Sequence, residues 1–166
     1  MTARALLTGS GILMVGLMAG LFFGWMVSVI PGLSRISDSD YIATMQSINV
    51  AIVNPAFVIP FMLTPVVLAG AGVLEYRAGN QRRAWLLGVA AVTYVVGVLG
   101  ITVGGNIPLN NTLDAFDLNT ATASETATQR TSYERSWNRW HGARTVANAV
   151  SFGFAISSSL VAMEAE

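Results

Sequence analysis

Four stretches of this chain carry no charged residue at all: Ala5 to Ser34, Tyr41 to Leu74, Ala84 to Leu113 and Thr145 to Met163. Each is long enough to supply the roughly 20 residues that a bilayer-crossing helix needs. In lipid the backbone must satisfy its own hydrogen bonds, which leaves only helices and closed barrels, and the short strands of alternating polarity that build a membrane barrel are absent. The pattern therefore predicts an all-α integral membrane protein, a four-helix up-down bundle folded as a single membrane domain over residues 1–166. Composition agrees, with 53% hydrophobic and 11% charged residues and a mean hydropathy of +0.57, far from an ordinary soluble domain.

The breakers place the helices at about 6–30, 48–74, 85–103 and 132–163, with a long polar connection over about 106–131. Pro31-Gly32 closes the first helix and Gly104-Gly105 the third. Pro55, Pro60 and Pro65 each remove a backbone donor from the second, so it should be kinked and need neighbours to satisfy the freed carbonyls. The first apolar run exceeds a signal-peptide core and has no small-x-small cleavage site after it, so it reads as a retained helix. Arg4, Arg77, Arg82 and Arg83 flank membrane ends, which predicts a multi-pass protein of the cell membrane with both termini cytoplasmic.

With no cysteine, the chain has neither disulfides nor thiolate chemistry. Nine arginines, dispersed and matched by nine acids, form no patch for nucleic acid. Gly16, Gly20 and Gly24 form a small-xxx-small ladder that lets another helix approach closely, either of this chain or of a second copy in a homo-oligomer.

In an up-down bundle the polar residues gather at one membrane surface: Trp25 and Ser28 late in the first helix, Asn49 and Asn54 early in the second, Thr102, Asn106 and Asn110 around the end of the third. Trp137, Trp140, His141 and Arg144 open the fourth at i, i+3, i+4 and i+7, one helical face. Taken singly, the tryptophans serve as an interfacial belt, Arg144 as a snorkelling side chain, Arg130 with Glu134 as an i,i+4 pair, and Asn54 as a helix cap. Taken jointly they describe a polar pocket.

One histidine cannot by itself complete a zinc site, and no acid is placed to orient His141 toward a serine nucleophile. A histidine base, an arginine and asparagine set for a developing oxyanion, and indoles for a flat ring suit proton abstraction from an aromatic ketone. Two other classes stay open: a non-catalytic membrane protein that binds lipid, quinone or haem, and a metal-dependent redox protein in which His141 joins carboxylates or asparagines.

The run Gly105-Asn106-Ile107-Pro108-Leu109-Asn110 with Leu113, followed by Trp137-x-x-Trp140-His141-x-x-Arg144 and preceded by a glycine-rich first helix, resembles the anthrone oxygenase-like family of small four-helix membrane proteins. The resemblance implies a membrane-embedded oxidoreductase, an oxygenase that converts a hydrophobic anthrone into an anthraquinone with dioxygen, with no cofactor expected. It also implies roles: His141 as base, Arg144 and Asn110 on the enolate oxygen, Trp137 and Trp140 on the ring. Asn106, Asn54 and Trp25 complete the expected substrate pocket, and the partners are membrane lipid and a hydrophobic small molecule.

Overall fold

The computed structural model describes residues 2–161, and every regular element among them is helical. Among the described residues there are five helices: α1 Ala3–Leu33, α2 Asp38–Ala51, α3 Pro55–Arg77, α4 Gln81–Asp114 and α5 Ala123–Leu160. Three of them, α1, α3 and α4, are long and apolar enough to cross a membrane. Their outward faces are apolar and exposed, as at Leu13, Leu17, Val66, Val92 and Val96, which is how a lipid-facing surface is built. Four helices close a ring, α1 packing on α3 and α5, and α4 packing on the same two, while α2 lies across one end against α5 and the last turns of α4.

The expected four helices thus become five, for local reasons. Pro55 drives the residue before it out of the helical region; Asn54 is extended (φ −131°, ψ 160°) and its side chain accepts from the Phe57 amide. The second helix therefore breaks into α2, capped by Ser37 on the Asp40 amide, and α3. Pro60 and Pro65 stay inside α3. Pro65 cannot donate to the Phe61 carbonyl, and the Tyr94 hydroxyl of α4 donates to it instead at 3.1 Å.

The expected stop at Pro31-Gly32 acts one residue late, α1 ending at Leu33, while the one at Gly104-Gly105 does not end its helix. α1 runs on through a π-helical segment, Trp25–Val29, and α4 through two, Val95–Gly100 and Thr102–Asn106. Pro31 and Pro108 each follow such a segment by two residues, and the carbonyls they fail to serve, four residues back, lie within it. Widening the helix absorbs the missing bond without breaking the chain. The connection expected at 106–131 is mostly helical too, because Thr122 and Glu125 form a reciprocal capping box that starts α5 nine residues early. At its far end, residues 162–163 of the expected fourth helix lie outside the described residues.

Two apolar clusters fill the interior. One, built on Val15, Met18, Phe22, Leu68, Leu87, Tyr94 and Val98, occupies the ring; the other, built on Tyr41, Ile42, Met45, Leu113, Tyr133 and Trp137, lies beneath α2. The ring is tied at one end by Glu75, buried at 1% exposure and contacted by Asn80 at 2.8 Å, Arg83 at 3.3 Å and Arg4 at 3.8 Å. At the other end Arg130 holds the exit of α1 through the carbonyls of Ile36 and Leu33, with Asp38 and Glu134 as its carboxylate partners. Of the glycine ladder, Gly16 is occupied by Phe152 of α5, and Gly20 and Gly24 face open space.

Candidate functional site: a cavity around Arg144

Between the two clusters lies a cavity of about 260 Å³, close to the lower edge of ligand pockets at roughly 300–1,000 Å³. Its walls are mostly apolar, from Ile48, Phe57, Phe61 and Met62 among others, and its polar groups come from four helices: Trp25 of α1, Asn49 of α2, Thr102, Asn106 and Asn110 of α4, and Trp137, His141 and Arg144 of α5. The π-helical segments matter here, since Trp25, Thr102 and Asn106 all lie in them. Edge residues Leu21, Val53, Val58, Met62 and Ile107 are exposed, so the cavity opens through an apolar rim.

His141 is 1% exposed and both its ring nitrogens are engaged. Nε2 lies 3.1 Å from the Phe22 carbonyl, which can only accept, so Nε2 carries the proton. Nδ1 then offers its lone pair to Arg144, receiving Nε at 3.3 Å and Nη2 at 3.0 Å. The ring is clamped by a parallel stack on Trp137, with centroids 4.9 Å apart and planes 8° from coincidence, and by the edge of Phe22 at 5.7 Å. A metal or haem iron reaching His141 would have to displace one of those two partners. Among the described residues no three His, Asp or Glu side chains come together as a metal-binding group.

Arg144 is 9% exposed, and among the described residues no carboxylate pairs with it. Its Nη1 donates to the Thr102 hydroxyl at 3.1 Å, and its guanidinium carbon lies 4.6 Å from the Phe22 ring centroid and 5.4 Å from that of Trp137. A guanidinium has five N–H groups. Two meet His141 and one meets Thr102, which leaves one on Nη1 and one on Nη2 for a ligand.

Asn110 accepts through Oδ1 from Trp137 Nε1 at 2.8 Å and from the Tyr133 hydroxyl at 3.0 Å, so its Nδ2 donors are turned away from both. Asn106 donates to the Trp137 carbonyl at 3.3 Å, while among the described residues its buried Oδ1 has no partner, nor does the buried Trp25 Nε1. A buried polar atom left unpaired costs about 1–3 kcal/mol. Beside the two open Arg144 N–H groups, the residues of the cavity lining thus hold one buried unpaired donor, on Trp25, and one buried unpaired acceptor, on Asn106.

Six of the eight residues expected at the site meet in this cavity: Trp25, Asn106, Asn110, Trp137, His141 and Arg144. Trp140 and Asn54 do not. Trp140 is turned about 100° from His141 around the helix, is 46% exposed, and lies on Gly105, where an added Cβ would come within 2.7 Å of the indole. Asn54 is exposed and caps α3. Sequence reasoning missed the Phe22 carbonyl, which no side chain announces, and Tyr133, although Tyr133, Trp137 and His141 at i, i+4 and i+8 give the signal for a stacked aromatic stripe.

No curated protein and no solved structure matches the chain. The family model described as Anthrone oxygenase matches residues 50–154, a span that begins after the glycine-rich first helix and holds every polar side chain of the cavity except Trp25 and Asn49. By that match the chain belongs to the anthrone oxygenase family.

Proposed function

We propose that this protein is a membrane-embedded oxygenase that takes a hydrophobic, anthrone-type ketone from the bilayer and oxidises it with dioxygen without a cofactor. In this reading α1, α3, α4 and α5 cross the membrane as a four-helix bundle, α2 lies at one surface, and the Arg4, Arg77, Arg82 and Arg83 end faces the cytoplasm. The observation that carries it is Arg144: a buried cation with no carboxylate partner among the described residues and two unfilled N–H groups, set in an apolar, aromatic-walled cavity. Such a site favours a ligand that becomes an anion.

The substrate carbonyl takes the two remaining Arg144 donors, with Asn110 Nδ2 beside them, and the rings lie against Trp137. As charge develops on that oxygen the guanidinium follows it and uncovers His141 Nδ1, which accepts the proton from the activated methylene. The imidazolium is held by the Phe22 carbonyl, and because the proton only moves within the site its total charge does not change. The carbanion transfers an electron to dioxygen and the two radicals combine to a peroxide. His141 returns its proton, and loss of water leaves the new carbonyl. One ketone and one dioxygen give one quinone and one water.

The test is oxygen uptake and quinone formation with an anthrone in detergent or nanodiscs. Wild type should consume one dioxygen per product formed. Arg144→Gln should lower kcat/KM by about 10²–10³, the loss seen when an oxyanion donor is removed, and His141→Ala by about 10²–10⁴, the range of a general base. No uptake by wild type sinks the oxygenase reading; full turnover by His141→Ala removes the base.

A further inference from the structure

On the outer face of α3 and α4, at the opposite end from the cavity, runs a groove of about 860 Å³. Its floor is cut by small residues. Gly72 sits so close to α4 that an added Cβ would be 3.3 Å from the Ala84 carbonyl, and a Cβ on Gly88 would meet nothing within 4 Å. Trp85 and Tyr76, 75% and 66% exposed, form the rims. From Ala69 to Arg77 the groove follows α3 for roughly 12 Å at 1.5 Å per residue, and its walls are almost wholly apolar, with Arg77 at the mouth.

Among the described residues the charge at that end is one-sided. Arg4, Arg77, Arg82 and Arg83 lie at this end, and among the described residues Glu75 is the carboxylate there, already contacted by Arg4 and Arg83. Arg77 and Arg82 are exposed and have no ion pair among the described residues. An apolar slot on a lipid-facing helix pair, with aromatic rims, the Arg77 guanidinium at its mouth and Arg82 at the start of α4, neither paired among the described residues, matches one ligand in shape and charge. We propose that this groove seats an anionic phospholipid, its phosphate at Arg77 with Arg82 beside it and one acyl chain along the Gly72–Gly88 floor. The inference needs the chain to lie in a bilayer but does not depend on the oxygenase reading.

Native mass spectrometry of the full chain in mild detergent tests it, titrating phosphatidylglycerol and phosphatidylcholine of identical acyl chains. Wild type should bind phosphatidylglycerol about thirtyfold more tightly, the advantage two surface arginines give at about 1 kcal/mol each. The Arg77→Gln/Arg82→Gln variant should lose that preference, and Gly88→Leu, which fills open space, should weaken both lipids alike. Helicity by circular dichroism checks that each variant is folded. Equal affinity for the two lipids in wild type, a preference that survives the double arginine variant, or no effect of Gly88→Leu would each overturn the assignment.

Discussion

The α4–α5 crossing sets where Arg144 meets Thr102, and a single methyl group tests it. An ideal Cβ on Gly97 of α4 would lie 2.4 Å from the Ala147 Cβ of α5, where ordinary contact begins at 3.4 Å. Gly97→Ala must therefore part the helices by about 1 Å, an overpacking cost of about 1–3 kcal/mol. Ala147→Gly alone loses a half-buried methyl, less than about 0.8 kcal/mol, plus about 1 kcal/mol of helix propensity. Moving the methyl from one helix to the other restores the spacing, so the double variant should recover most of the loss, with a coupling of about 1–3 kcal/mol. The assay is unfolding by sodium dodecyl sulfate in mixed micelles, followed by circular dichroism. Gly97 is five residues before Thr102 and Ala147 three after Arg144, so parting the helices should also lengthen the 3.1 Å Arg144–Thr102 bond and weaken oxygen uptake with it. Gly97→Ala unfolding at the wild-type detergent concentration, or a double variant no better than Gly97→Ala, would refute the close crossing.

Other consequences are open to simpler measurements. Glu75→Ala leaves Arg83 facing a buried site without its carboxylate, and should cost about 3–5 kcal/mol in the same assay. Asn54→Ala removes the α3 cap and should cost about 1 kcal/mol while oxygen uptake per folded protein stays unchanged, since Asn54 lies outside the cavity. The Glu125 carboxylate is held below its ordinary value of 4.5 by the Thr122 hydroxyl and amide. Its contribution is thus fully present above that value and is lost as pH falls through the lower folded one. Protection of the amides at the start of α5, measured against their intrinsic exchange rates, should fall in acid in wild type, and Thr122→Ala should show low protection at neutral pH as well.

Helix type and most of the site could be read from residue order, because both rest on local signals. Charge-free runs of membrane length do not depend on neighbours, and the i, i+4, i+7 spacing of Trp137, His141 and Arg144 fixes a shared face whatever packs on it. The misreadings came from signals that compete. Gly104-Gly105 read as a terminator with Pro108 just beyond it, yet a π-helical turn lets a helix tolerate a missing donor, and only the surrounding packing decides between the two. The Thr-x-x-Glu capping box at Thr122 and Glu125 was legible, but the polar composition around it resembled a linker. The engagement of His141 was not legible at all. It depends on a backbone carbonyl 119 residues away in sequence.

That engagement bears on how a cationic group and a base can occupy one buried site. An imidazole beside an unpaired guanidinium is ordinarily a poor base, since adding a proton places two cations together in a medium of low dielectric. Here the same guanidinium that caps Nδ1 is the group an oxyanion would attract. In the proposed reaction base strength and substrate charge would be linked: the lone pair is covered while the cavity holds no anion and would be uncovered when one forms. Arg144→Lys separates this from a fixed-base scheme. Lysine keeps the charge, but as a compact ammonium it lacks the planar fork that reaches His141, Thr102 and a ligand at once. With a covered base, the variant should lose kcat by about 10²-fold and shift the pH at which half-maximal kcat is reached. With a base that acts independently of Arg144, kcat would still fall through the lost oxyanion donors, but that pH would stay where it is in wild type.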